Sequence, residues 1–221
     1  MPTITVDSTI ARASVLLQDP TNIRWPKTEL LDWLNDGQRE VVLRKPNASV
    51  KNAAINLIAG TKQFIPSDGV QLLDVVRNMV SGQAIRIVDR EILDAQLPGW
   101  HGATQTKDVQ HYCYNDLDLK NFYVYPPNNG TGAVELIYSS SPTAATLGGV
   151  ISIDDIYQSA LVDYIMYRAY SKDSEYAADP ARVSSYYTSF ANSLGGKLQM
   201  EVGANPNMRD VVNPNLPGRK G

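Results

Sequence analysis

The chain has 221 residues, 43% of them hydrophobic, which is enough for a buried core in one domain or in a domain that carries an insertion. A net charge of −3 argues against a dedicated nucleic-acid binder, whose phosphate-facing surface leaves a basic excess. One cysteine and two histidines exclude an internal disulfide framework and leave a structural zinc site short of ligands. The first residues have neither the basic start nor the apolar run of a secretory leader, and no apolar stretch reaches membrane length. The expectation is a soluble, cytoplasmic chain without a cofactor.

In chain order, Val6, Ile10, Ala13 and Leu17 recur at helical spacing, Asp7 or Ser8 can cap, and Asp19-Pro20 ends this first helix. A second helix is predicted from Pro26, whose fixed φ suits a first turn, with Leu30, Trp33, Leu34, Gly37 and Val41 as its buried stripe. Lys45-Pro46 stops it. From residue 51 to about 147 the pattern turns strand-like, with candidate strands at 54–58, 63–65, 85–88, 109–114, 122–125 and 133–138. Gly60, Ser67-Asp68-Gly69, Ser81-Gly82 and the stretch 126–130 punctuate them as turns. Residues 70–80 fit strand or helix, and a short helix is predicted at 89–96, before Leu97-Pro98.

After a small-residue stretch at 141–149, the longest helix is predicted over 153–170, capped by Ser152 or Asp154. Tyr157, Ala160, Leu161, Tyr164, Ile165 and Arg168 form its stripe, and Ile156 and Tyr167 widen it, so it needs neighbours on two sides. Asp179-Pro180 opens a fourth helix with the stripe Val183, Tyr187, Phe190 and Leu194, ended by Gly195-Gly196. Residues 197–221 show no sustained period and read as an extended tail. The expected class is α+β: a four-helix body from residues 1–50 and 150–196, an inserted β-rich lobe at 51–149, and the tail at 197–221.

The chemistry-bearing residues are few. Glycine-rich phosphate loops, the zinc-protease helix motif and the nucleophile elbow are all missing from the sequence. His101 and His111 have no nucleophile pattern near them, and Cys113 sits in a strand-like run as a small hydrophobe. Asp116 and Asp118 belong to a polar turn, and Asp154-Asp155 suits a helix N-terminus better than a metal. No catalytic, cofactor or metal residue is therefore expected. Arg168, set in an apolar stripe, is expected to form a structural ion pair between helices or between subunits, a carboxylate of the second helix being the natural partner. Twelve tyrosines suit surfaces packed at one end and wet at the other, as at subunit contacts.

Five segments in order carry a family likeness: RWPKTELLDWLNDGQREVV from Arg24, LDVVRNM from Leu73, LPGWH from Leu97, FYVYPP from Phe122, and the helix from Ile153 through Asp163, Tyr167 and Asp173. In that order the chain resembles the head-to-tail adaptor (neck, or connector) proteins of tailed bacteriophages, from about Val6 to Leu194. The resemblance implies a non-enzymatic virion protein of the neck: a dodecameric ring docked beneath the capsid portal, DNA passing through its centre without sequence-specific binding. It implies that the β region faces a downstream tail or nozzle protein. The tail would reach the portal through Leu198, Met200, Val202, Met208, Val211, Val212 and Leu216. Two other readings stand beside it. One is a tail-associated enzyme or carbohydrate-binding module, with Trp100, Tyr112, Tyr114, Tyr123 and Tyr125 lining a sugar site. The other is a tail-tube or terminator component, which would be mainly β.

Overall fold

The computed structural model describes residues 2–115, 117–172 and 180–204, with side chains as far as Gly195. The fold is mixed α+β, with five α-helices and two sheets among the described residues. The chain divides into two compact units: Met1–Thr5 with Gln38–Asp155, and Val6–Gly37 with Ile156–Gly221.

The second unit is helical. It holds α1 (Val6–Leu16), the first part of α2 (Lys27–Arg44), α4 (Gln158–Lys172) and α5 (Pro180–Ala204). On α1 the buried residues Val6, Ile10 and Ala13 fall on one stripe, as their spacing dictates, and Thr9 and Ser14 join them. The turn after α1 is organised by one carboxylate. Asp19 accepts main-chain N–H bonds from Ile23 (3.0 Å), Arg24 (2.8 Å) and Trp25 (2.9 Å). Those bonds, that from Trp25 first, hold its carboxyl below the usual range. They also set Trp25 beside Trp33, 5.8 Å between ring centroids.

On α4, Ala160, Leu161, Val162, Ile165, Met166 and Ala169 are buried. Ile156, expected to widen that stripe, lies in a short 3₁₀ turn before α4 and is 54% exposed. Antiparallel packing of α4 on α5 follows from aromatic pairs whose numbers run in opposite senses: Tyr164 with Phe190 (5.2 Å), Tyr167 with Tyr187 (5.0 Å) and Tyr170 with Tyr186 (5.5 Å). Phe190 and Leu194 are buried as their spacing predicts, whereas Tyr187 is 37% exposed.

One helix end is corrected. α5 does not stop at Gly195-Gly196 but continues to Ala204, so the segment expected to be extended from residue 197 begins as helix. Gly195 keeps out of the left-handed region that a terminating glycine adopts. A glycine inside a helix costs only about 1 kcal/mol relative to alanine, and the following Lys-Leu-Gln-Met-Glu are strong helix formers.

The first unit contains the β structure. One sheet has the order β1-β7-β3, from β1 (Val50–Asn56), β7 (Ala133–Ser140) and β3 (Gly69–Asn78), all antiparallel. The other has the order β2-β6-β5-β4, from β2 (Ala59–Phe64), β6 (Asn121–Asn129), β5 (His111–Tyr114) and the two-residue β4 (Arg86–Ile87), which runs parallel to β5. Residues 70–80, ambiguous in sequence, are strand β3. Its pairing with β7 shifts register three times, and each shift breaks the alternation that would mark a strand.

Side-chain alternation along β5 and β6 divides two cores. Tyr112, Phe122 and Val124 join a cluster with Leu72, Val75, Leu136 and others, while Cys113, Tyr123 and Tyr125 face Leu93 and Trp100. The second cluster is closed by α3 (Arg90–Gln96), the helix predicted at 89–96 with Asp89 as its cap rather than its first residue, and by the turn Trp100–Gly102. Asp155 fastens the N-terminus of this unit, its carboxylate accepting from Thr3 N (2.8 Å), Thr3 Oγ1 (2.5 Å) and Ile4 N (3.1 Å).

Candidate functional site

The residues with chemical potential are spread over the β unit and are already occupied there. His101 stacks on Trp100 at 3.8 Å and shares a 2.8 Å hydrogen bond between its Nδ1 and Thr61 Oγ1. His111, on β5, stacks on Tyr125. Cys113 is buried against Leu93 and Trp100, and burial, with Asp94 and Asp89 adding to it, pushes its thiol up to about 11, away from the thiolate a nucleophile needs.

Beside α3 opens a cleft of about 850 Å³ whose rim includes Asp89, Arg90, Glu91, Asp94 and Asp118. Its carboxylates have structural work. Asp89 accepts Glu91 N at 2.9 Å as the α3 cap, and Asp94 accepts Trp100 Nε1 at 2.8 Å and Arg90 Nε at 3.3 Å. The Trp100 bond comes first among the causes that depress the Asp94 carboxyl. Asp118 holds the Asn121 amide at 2.7 Å, and Asp116 lies outside the described residues. Among the described residues, no three His, Cys, Asp or Glu side chains gather as a metal site would require. The excess of carboxylates makes the cleft a poor seat for phosphate.

The rings proposed for a sugar site do not form one platform: Tyr114 and Tyr123 are half-buried and line the cleft, Tyr125 is half-buried against Trp100, and the other two are closed to solvent. Trp100 and Tyr112 are 2% and 4% exposed, and the Tyr112 hydroxyl donates to Asp74 at 2.9 Å. Burial, then that bond, raises the phenol far above its ordinary range.

On the helical unit, Arg168 is half-buried on α4. The ion pair across to α2 is made by another residue: Lys172 Nζ lies 2.5 Å from Glu29 Oε1, and also 5.6 Å from the Trp25 ring. No pair involving Arg168 is found among the described residues. Asp163 entered the sequence reading only as part of the family likeness, with no role assigned to it. It accepts Ser189 Oγ of α5 at 2.9 Å, and half-burial raises its carboxyl above the usual range. Asp163 lies outside the apolar stripe that revealed α4, so the period carried no signal of the contact it makes with α5.

Of the residues expected to contact the portal, Leu198, Met200 and Val202 occupy positions on the last turns of α5. Met208, Val211, Val212 and Leu216 lie outside the described residues.

The chain matches the model of the SU10 adaptor protein family over residues 4–212 and belongs to that family. It is thus a phage structural adaptor protein, a virion component that interacts with other virion components such as portal and tail. The match extends beyond Leu194, where the motif likeness ends, and includes Leu198 through Val212 but not Leu216. No curated protein matches the chain. Among the described residues no helix is long and apolar enough to cross a membrane.

Proposed function

We propose that this adaptor assembles as a ring, dodecameric as the motif likeness implies, in the neck of the virion. It joins the portal to the tail and leaves its centre open to DNA. Family membership over residues 4–212 is the observation that carries this reading. The net charge of −3 supports it, since a channel that attracted phosphates would hinder transit. The β unit faces the downstream tail or nozzle protein, and residues 197–221 reach the portal.

The helical course of α5 to Ala204 refines the portal segment. Positions 194, 198 and 202 recur at four-residue spacing, so 198 and 202 are neighbours one turn apart on α5. Position 200 falls on another face. Leu198 and Val202 therefore belong to a helical anchor, and Met208, Val211, Val212 and Leu216 to the segment beyond it. Arg168, half-buried and without an ion pair among the described residues, serves as an inter-subunit partner.

The test is co-sedimentation with assembled portal, followed by electron microscopy. Removing residues 205–221 leaves α5 whole and is expected to abolish attachment, while full-length protein binds and shows a ring. Equal binding by the truncated chain refutes the portal segment. Full-length protein on portal without a ring refutes the assembly.

A further inference from the structure

Strand β1 is an edge of its sheet, bonded only to β7 through seven pairs without a register shift. Which of its main-chain groups are used follows from two flanking bonds. Ser140 N donates to Ser49 O at 2.8 Å, and Leu57 N donates to Gly132 O at 2.8 Å. Residues 49 and 57 are thus hydrogen-bonded partners of β7, and by the alternation of an antiparallel ladder so are 51, 53 and 55. Val50, Asn52, Ala54 and Asn56 then turn both N–H and C=O outward, and all four residues are exposed.

The other edges are guarded. β3 carries three register shifts, and its outer side is met by the chain itself, Ile85 N donating to Val76 O at 3.0 Å and Leu72 N to Leu119 O at 3.3 Å. β2 is broken between Gly60 and Lys62, and β4 has two residues. β1 alone is straight, free of proline and nearly uncharged, the kind of edge that pairs with another strand.

We infer that β1 pairs with β1 of a second copy of this chain, antiparallel about a two-fold axis at Ala53. The strand is complementary to itself in that register. Val50 meets Asn56 of the second copy and Asn52 meets Ala54 of the second copy, so every outward-turned residue falls in a hydrogen-bonded pair. The one charged residue, Lys51, lies opposite Ile55 rather than a second lysine. Ala53, the smallest side chain of the inward row, lies at the axis opposite itself. Ala53 and Ile55 are half-buried at the rim of the β core, and the added strand covers that rim. A two-fold contact closes at two copies, so this pairing does not rest on the ring.

Seven residues a side is well under the roughly 20–30 of a standard interface, so the pair is weak and a trapping assay suits it. In the full-length chain, Ala53→Cys places two thiols across a non-hydrogen-bonded pair, where β-carbons approach closely enough for a disulfide. Under oxidised glutathione it should cross-link to a dimer at least tenfold faster than Leu117→Cys, although Leu117 is 93% exposed. Adding Ala54→Pro, which removes an outward N–H, should bring the rate down to that control. In the unsubstituted protein, amide exchange at Asn52 and Ala54 should slow as concentration rises. A rate for Ala53→Cys no greater than that of Leu117→Cys, or exchange independent of concentration, overturns the pairing.

Discussion

Gly37 is where the sequence, the helix and the packing make opposing demands, and substitutions there test the account of the helical unit. It lies in the middle of α2, where alanine would be favoured by about 1 kcal/mol. Yet a β-carbon at this position would sit 3.1 Å from Tyr164 Cδ1, 3.2 Å from Leu161 Cδ2 and 3.3 Å from Tyr164 Cγ. Those distances fall inside the roughly 3.5–4.0 Å of optimal carbon contact. The neighbours have little freedom to withdraw. Leu161 is fully buried, and the Tyr164 ring is wedged between Phe190 at 5.2 Å and Tyr167 at 5.8 Å. For Gly37→Ala the propensity gain and the overlap nearly cancel, leaving stability within about 1 kcal/mol of the parent. Gly37→Leu gains a similar propensity but drives three more carbons into occupied space, where overpacking costs roughly 1–3 kcal/mol. At about 2–4 °C per kcal/mol for a chain of this size, a net loss of about 2 kcal/mol lowers the melting temperature by about 4–8 °C. Thermal melts followed by circular dichroism measure this. Tyr164→Ala combined with Gly37→Leu should recover part of the loss, giving a coupling of at least about 1 kcal/mol. A Gly37→Leu chain that melts at or above the parent, or strict additivity with Tyr164→Ala, refutes the reasoning.

Two carboxylates should respond to pH in opposite directions. Half-burial raises the Asp163 carboxyl above its unfolded value, so its charged form opposes folding, and the loss sets in as pH rises through the folded pKa. Asp163→Asn, still able to accept from Ser189 Oγ, should raise the urea midpoint at pH 7 and lose that advantage below about pH 4. An equal gain at both pH values would point to packing instead. The Asp155 carboxyl is depressed, first by the Thr3 hydroxyl and then by the Ile4 N–H. Its contribution is present above the unfolded pKa and disappears as pH falls through the folded one. Asp155→Ala should therefore destabilise the β unit at pH 7 and free the Thr3 and Ile4 amides for exchange, with the stability difference vanishing in acid; retained protection of those amides at pH 7 contradicts this.

The helices were legible because burial of one face imposes a period of 3.6, and α1, α2 and α4 obey it at Ile10, Leu34 and Leu161. Strands were legible where one row is buried and the next is not. β1 fails that condition in its first half, where Val50, Lys51 and Asn52 are all exposed, so only residues 54–56 of it fell within the strand predicted at 54–58. β6 runs through Pro126-Pro127, which read as a turn, because Asn128 beyond them is buried and bonded to Lys107 O at 2.8 Å, keeping the chain extended. Asp19 read as a helix stop. Its three N–H bonds depend on the path of residues 22–25, with Asn22 in the left-handed region, and spacing does not encode that path. The proposed portal contact could be read from the sequence only as a list of apolar points, since docking residues need no period of their own.

The course of α5 past Gly195 alters what that list can mean. In an extended tail, seven apolar residues would be interchangeable anchors, each ordered separately on docking and each at an entropic cost. With a helix to Ala204, positions 198 and 202 are already one helical turn apart, so the proposed portal contact there would order less chain per contact than the same two residues in an extended tail. Affinity lost by substituting a helical anchor should then appear mainly as faster release, because the free helix already holds the bound spacing.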